Sequence, residues 1–457
     1  MNLLDNEAIL KVYSKNDKMS RYFSRRIDLF IVLSVLILLI FNIISNYVSW
    51  NSIFRLGADS DSGNKQTELL ISPRCEELFG KEWTEILIRD FEEKNPELKI
   101  VLLDSPDERE PDILIFDEGD YSGLAAAGDL VSLEPYFNHE RNLHHFASNQ
   151  RFESPDEIRK VDMELFAVPL VSFMDLLFYN IELLAASGFD RPPKTRDEFL
   201  AFVKAVSGRN AAGAVSSLNI QDRRSVSRDI FSWIWASGND FWPNDSSAAA
   251  QKPVINNRLT IRDITFLGRL FGKEASGSVS YSITGEQRLE EFAQGKIALM
   301  IASTGAIPYL REKMGDNTFG ITTIPDSGSG GKYNLNLYGF YTGINTNCAY
   351  PDEAWIFLSF LAEQIPHLCA KLNAVPGIVS GFFSGDFDYM KDDPFYSKAR
   401  DIFELSEIVH GFSKTTKAGE FEKIVLEEMQ EFFQSGRTPE QTAAAIQRRW
   451  DEIPVGK

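Results

Sequence analysis

The sequence predicts an α/β protein of two core-bearing lobes behind an N-terminal transmembrane helix. Three observations carry this. The chain runs to 457 residues, beyond the roughly 250 to 300 that one hydrophobic core organises. Strand-like and helix-like segments alternate from residue 67 onward. Ahead of them lies an uncharged apolar run from Leu29 to Val48.

That run, LFIVLSVLILLIFNIISNYV, is long enough at about 1.5 Å per residue to cross about 30 Å of hydrocarbon. Lys11, Lys15, Lys18, Arg21, Arg25 and Arg26 precede it, and Tyr47 and Trp50 suit the far interface. Positive charge stays inside, so residues 1–28 read as a cytoplasmic tail, 29–48 as a signal anchor, and everything after Trp50 as extracytoplasmic. The competing reading is a cleaved secretory signal, which needs a shorter apolar region and small residues at the cleavage point. Here Tyr47 and Val48 stand among the candidates. Residues 49–66, rich in Ser, Asp, Asn and Gly, read as a flexible linker.

Next come the strand-like TELLIS and a helix predicted over 77–94, where Leu78, Trp83, Ile86, Leu87 and Phe91 recur at helical spacing. Asn95 and Pro96 stop it, LKIVLL and PDILIF read as strands, and a small-residue helix begins at Ser122. This alternation predicts a parallel sheet covered on both faces. Ligands of such sheets bind beyond the carboxyl ends of the strands, which points to the loops Ser72–Glu76 and Asp117–Asp120. FAVPLV and LLFYN follow as two strands, then a helix over 196–206, the aromatic stretch IFSWIWASGNDFWPND, and the strands KIALMIA, FGITTIP and NLYGFYTGIN. A helix begins near Pro351, and residues 395–450 are mostly helical.

The net charge of −19 disfavours nucleic acid as a partner, because an acidic surface repels phosphate backbones. Cys75, Cys348 and Cys369 form no CxxC pair and no even disulfide framework, and read as small buried hydrophobes, with one bridge and a leftover thiol still open. Neither HExxH, GxSxG nor GxxxxGK[ST] occurs. His139, His144 and His145 read as a solvated loop rather than metal ligands. No metal, cofactor or catalytic residue is expected.

The order of FEEKNPELKIVLL, PDILIFDEGDYSGLAAAGDLVSLEPYF, the long stretch from FAVPLV to FVKAV, FAQGKIALMIAS, FGITTIPD, YTGINTNCAYPDEAWIFLSFL and EEMQEFFQSGRTPEQTAAAIQRRWDEI resembles the extracellular solute-binding family 1, the maltose-binding-protein-like sugar receptors of ABC importers. The resemblance implies a periplasmic-binding-protein-like (type II) fold. Its first lobe would hold residues 67–168 and 337–371, and its second 169–336 and 372–457, with hinge crossings near Val168, Leu337 and Ala374 to Pro376. It further implies a monomer that is not an enzyme and that passes a small polar solute, most often a carbohydrate, to ABC permease subunits.

Carried over by position, the family's ligand-contacting loops fall on Arg74 and Glu76, Asp117 and Glu118, Ser172 and Asp175, Trp233, Trp235, Asn239 and Asp240, Ser303 and Thr304, and Tyr338. Carboxylates and amides suit sugar hydroxyls, and aromatic faces suit pyranose rings. Bland alternatives stand beside these. Trp233 and Trp235 alternate with Ile234 and suit a core, Asp117 suits a helix cap, and Arg74 suits a surface ion pair. Where many sugar-binding relatives carry a stacking tryptophan after the KIALMIA-like strand, this chain has Gly305, which leaves a smaller or modified polar solute open. A membrane-anchored sensor feeding a signalling partner is the alternative function.

Overall fold

Burial along β1 (Thr67–Ile71) leaves Leu69 and Ile71 fully enclosed, the period-two pattern of a strand. It pairs in parallel with β2 (Leu98–Leu102) and β3 (Ile113–Asp117). Between β1 and β2, the single helix predicted over 77–94 is two helices, α1 (Arg74–Phe79) and α2 (Lys81–Lys94). Gly80 separates them at φ +79°, where a residue without a Cβ meets no steric penalty, while its amide donates to the Glu76 carbonyl and closes α1.

The computed structural model describes residues 66–105, 109–139, 160–161, 164–207, 211–219, 221–239, 241, 252–272, 277–326, 333–372, 375–376, 392–409, 412 and 417–454, all within one unit, Gln66–Lys457. The predicted anchor 29–48, the linker up to Lys65, and His144 and His145 lie outside the described residues. Among the described residues no helix is long and apolar enough to cross a membrane.

After β3 come α3 (Glu118–Ala127), α4 (Glu134–His139) and the small antiparallel pair β4 (Lys160–Val161) and β5 (Glu164–Leu165). The two strands predicted at FAVPLV and LLFYN are one, β6 (Val168–Asn180). Ser172 and Asp175 interrupt the apolar pattern without breaking the strand, and the buried Asp175 is tolerated because it is paired. The chain continues through α5 (Ile181–Ala186), α6 (Arg196–Ser207), β7 (Ala212–Ser217), α7 (Arg223–Trp235), α8 (Arg258–Phe271), β8 (Ser278–Ser280), α9 (Gly285–Ala293), β9 (Ile297–Ser303), α10 (Ile307–Met314), β10 (Phe319–Thr322) and β11 (Tyr333–Ile344). It closes with α11 (Pro351–Leu372), β12 (Val375–Pro376), α12 (Pro394–Glu404), β13 (Ser406–Val409), α13 (Ala418–Ser435) and α14 (Pro439–Glu452).

The main sheet has the order β2-β1-β3-β11-β6-β9-β7-β8, with β10 and β12 also on β6 and β13 on β11. It is mixed rather than wholly parallel. β11 runs antiparallel to both β3 and β6, and β6 runs antiparallel to β9. Strand-helix-strand alternation fixes direction only where successive strands become neighbours, and β6 and β11 arrive from distant parts of the chain.

Two long strands therefore run through the middle and change partners part-way. β6 pairs with β11 up to Met174 and with β9 from Asp175 onward. β11 pairs with β13 up to Asn336 and with β6 from Leu337. Of the apolar clusters, one gathers Leu69, Phe91, Ile113, Val168 and Phe357, with Phe91 edge-on to Phe357 at 4.9 Å. Another gathers Phe199, Phe231, Trp233, Leu267, Phe421 and Trp450 under the α6, α7, α8, α13 and α14 layer.

Cys75 is a free thiol in the first cluster, and burial pushes it up to about 12. It should resist iodoacetamide at pH 8 in the folded protein and alkylate once urea unfolds it, as read by peptide mass spectrometry. Modification at comparable rates in both states would contradict the enclosed position.

Candidate functional site

The carboxyl end of β3 delivers Asp117 to the edge where ligands of α/β sheets bind. Asp117 stands at the N-cap position of α3, yet its side chain makes no capping hydrogen bond. It instead accepts from the Tyr338 hydroxyl on β11, from Nη2 of Arg224 at 2.9 Å, and from Nη2 of Arg74 at 3.5 Å. Arg74, at the start of α1, also lies 3.8 Å from Asp120. The Arg224 guanidinium lies 4.8 Å from the Tyr338 ring centroid and 6.0 Å from that of Phe340.

A second layer sits deeper. Asp175 accepts from Nε of Arg228 at 2.7 Å and from Nδ2 of Asn336 at 3.2 Å. Arg224 and Arg228 are four residues apart on α7 and so share one face of the helix. The next residue, Asp229, is turned by about 100° around the helix and points into the fold. It accepts from the Ser216 hydroxyl at 3.0 Å, from the Ser217 amide at 2.9 Å and from Arg288 of α9. That buried knot fixes the rotation of α7 and thereby aims both arginines at the carboxylates of β3 and β6.

Burial drives the Tyr338 hydroxyl well above its ordinary range, and the neighbouring Asp117 charge adds to the effect, so it stays a donor. Burial also opposes the charge on Arg228, but Asp175 reverses the balance and raises that guanidinium. Burial pushes Asp229 upward while Arg288 and the Ser217 amide pull it down.

Arg74, Asp117, Asp175 and Tyr338 thus come together from four different segments. Ser303 ends β9 directly opposite Asp175, and Ser172 lies buried in β6 between β11 and β12. Glu76 is half-buried on α1, and Glu118 opens α3. The remaining positions are placed elsewhere. Trp233, 2% exposed, packs on Phe199 and Phe266 at 4.9 and 4.8 Å, and Trp235 stacks on Phe231 at 5.0 Å. Asn239 is buried and donates to Thr260, and the Thr304 hydroxyl is buried accepting from the Met174 amide at 3.2 Å. Asp240 lies outside the described residues. Gly305 abuts Phe173, whose ring would stand 3.0 Å from a Cβ there, so phenylalanine from β6 fills the space beside it.

Arg224, Arg228 and Asn336 escaped the sequence reading. The available signal was a pair of arginines one helical turn apart, just ahead of an aromatic stretch in an acidic chain. Among the described residues no group of three or more His, Cys, Asp or Glu is arranged to hold a metal ion.

The family model for bacterial extracellular solute-binding proteins matches residues 77–364. A protein of Brucella abortus (strain 2308), described as a binding protein, is 22% identical over 222 residues, 47% of this chain and 50% of that protein. The chain therefore matches about half the length of such curated relatives. Among solved structures, the GacH receptor of Streptomyces glaucescens GLA.O, studied unliganded and with acarbose, superposes with a TM-score of 0.68 at 15% identity over 85% of this chain and 100% of that one. An ABC transporter solute-binding protein of Thermotoga lettingae TMO bound to α-D-tagatose gives 0.69 at 16% identity over 86% and 100%. Maltose-bound MalE3 of T. maritima gives 0.66 at 17% identity over 84% and 99%. At such identities the likeness is one of fold, and that α/β fold is of the periplasmic-binding-protein type with a mixed sheet. With its family's match covering well over half of its length, this chain belongs to the bacterial extracellular solute-binding proteins, which bind their solutes outside the cytoplasm and are not enzymes.

Proposed function

We propose that the chain captures a small polar solute, in the first place a carbohydrate, between the half of the sheet built on β1–β3 and the half built on β7–β9. The solute is then handed unaltered to the permease of an ABC-type importer. The observation that carries this reading is the convergence of Asp117, Tyr338 and Arg224 at the carboxyl end of β3, since Asp117 and Arg224 come from opposite halves. Structural relatives solved with acarbose, tagatose and maltose support the solute class.

In this reading β6, β11 and β12 are the hinge, and the lobes are 67–168 with 337–371 and 169–336 with 372–457. The partner changes at Met174/Asp175, within β6 and past the crossing at Val168, and at Asn336/Leu337 favour a bend along these strands. A solute shifts such a hinge only by its differential affinity for the closed form, and moving the closed fraction from 1% to 99% takes about 5.5 kcal/mol. A few charge-assisted hydrogen bonds suffice. The apolar run 29–48 holds the receptor at the membrane beside the permease.

The full chain in mild detergent, screened against sugars and polyols by thermal shift, should melt higher with its solute, and mass spectrometry should recover that solute intact. A degraded solute would overturn the reading. So would a complete panel without any shift.

A further inference from the structure

Resting on the capture reading, and narrowing it, we propose that Arg74 and Arg224 form an oxyanion subsite, so that the solute is an acidic polyhydroxy compound carrying a carboxylate or phosphate.

Both guanidiniums reach the same oxygen of Asp117, Arg224 at 2.9 Å and Arg74 at 3.5 Å, while Tyr338 takes the other oxygen. Neither makes the two-pronged contact that its fork permits, and a planar carboxylate or a phosphate is the group that matches such a fork. The side chains remain 35% and 51% exposed, against 18% for Asp117, so the arginines are the more accessible partners in the group. Two carboxylates face these two cations, and neither fills a whole guanidinium fork. Asp117 is shared between two cations, Asp120 stands 3.8 Å from Arg74 and is 58% exposed, and Asp175 is committed to Arg228.

The aromatic surface points the same way. A neutral sugar is commonly held by stacking, yet the faces of Tyr338 and Phe340 lie against the Arg224 guanidinium, and the Phe173 ring beside Gly305 is itself buried. The two arginines come from opposite halves, so an oxyanion bridging them replaces Asp117 as the shared acceptor and draws the halves together.

The test uses the full chain in mild detergent, with melting and calorimetric titration against glucose and maltose, glucuronate and galacturonate, glucose 6-phosphate, and inorganic phosphate alone. Acidic sugars should bind at least tenfold more tightly than neutral ones, and raising the salt from 50 to 500 mM should weaken them. The uronate and phosphate arms identify which oxyanion is accepted. Arg224→Gln and Arg74→Gln should each lower that affinity tenfold or more, and Arg224→Lys less. Asp117→Asn should raise it severalfold by removing the internal competitor. Unliganded melting of every variant checks its folding.

Neutral sugars binding as tightly as acidic ones, or acidic binding indifferent to both glutamine variants, would overturn the oxyanion subsite and leave solute capture standing. Binding of inorganic phosphate alone, with no acidic sugar bound, would overturn the polyhydroxy class. A panel in which nothing binds would overturn the capture reading together with the inference.

Discussion

Replacing Asp229 with alanine is expected to lower the unfolding free energy by about 3–5 kcal/mol, because it leaves the Arg288 guanidinium buried without its carboxylate. Equilibrium unfolding in urea measures the loss directly. Arg288 also donates to the Ile301 carbonyl at 3.2 Å, a contact too weak to compensate a buried charge. The double variant Asp229→Ala with Arg288→Met should recover much of the stability, since an apolar side chain of similar length needs no counter-charge. A loss under about 1 kcal/mol for the single variant would mean that Arg288 finds water or another acceptor, contrary to its buried position. Because Asp229 orients α7, whatever fold remains should also bind solute more weakly through Arg224.

Trp233→Ala should cost a comparable amount, about 3–5 kcal/mol, through the cavity left between Phe199 and Phe266. Trp233→Phe should retain most of the stability and, once folded, bind solute as the parent chain does. Those paired measurements separate a core tryptophan from one stacked on a sugar. A phenylalanine variant of normal stability with binding weakened tenfold would return Trp233 to the site.

The sequence marked some parts of this chain well and others poorly, for identifiable reasons. Thr67–Ile71, Leu98–Leu102 and Ile113–Asp117 were legible as strands because each is a short apolar run between stop signals. The helix predicted over 196–206, observed as Arg196–Ser207, was legible from its apolar period. The break at Gly80 was not, since a single glycine inside a helical pattern is usually tolerated. Nor was the continuity of β6. Ser172 and Asp175 look like a loop until Arg228 and Asn336, 53 and 161 residues away, supply the partners that let an acid lie inside a sheet.

The candidate site divides along the same line. Asp117 followed from one local rule, that ligands gather beyond the carboxyl ends of parallel strands. Arg224 obeys no such rule, because its partner lies 107 residues earlier, and Tyr338 meets that same carboxylate from 221 residues later. Trp233 and Trp235 were ambiguous for the opposite reason, as two rings in an apolar stretch carry no sign of which face they will share.

By itself, then, the sequence determined most of the strands and helices, which are written in short-range periodicity, and, through the order of its segments, a resemblance to a family of receptors. Only the tertiary structure decided that the sheet is mixed, that β6 and β11 run through both halves, and that two arginines of α7 face the acids of β3 and β6. Those features arise from pairings between residues far apart along the chain, where neither period nor propensity carries information, and the requirement that buried charges find partners settles the outcome.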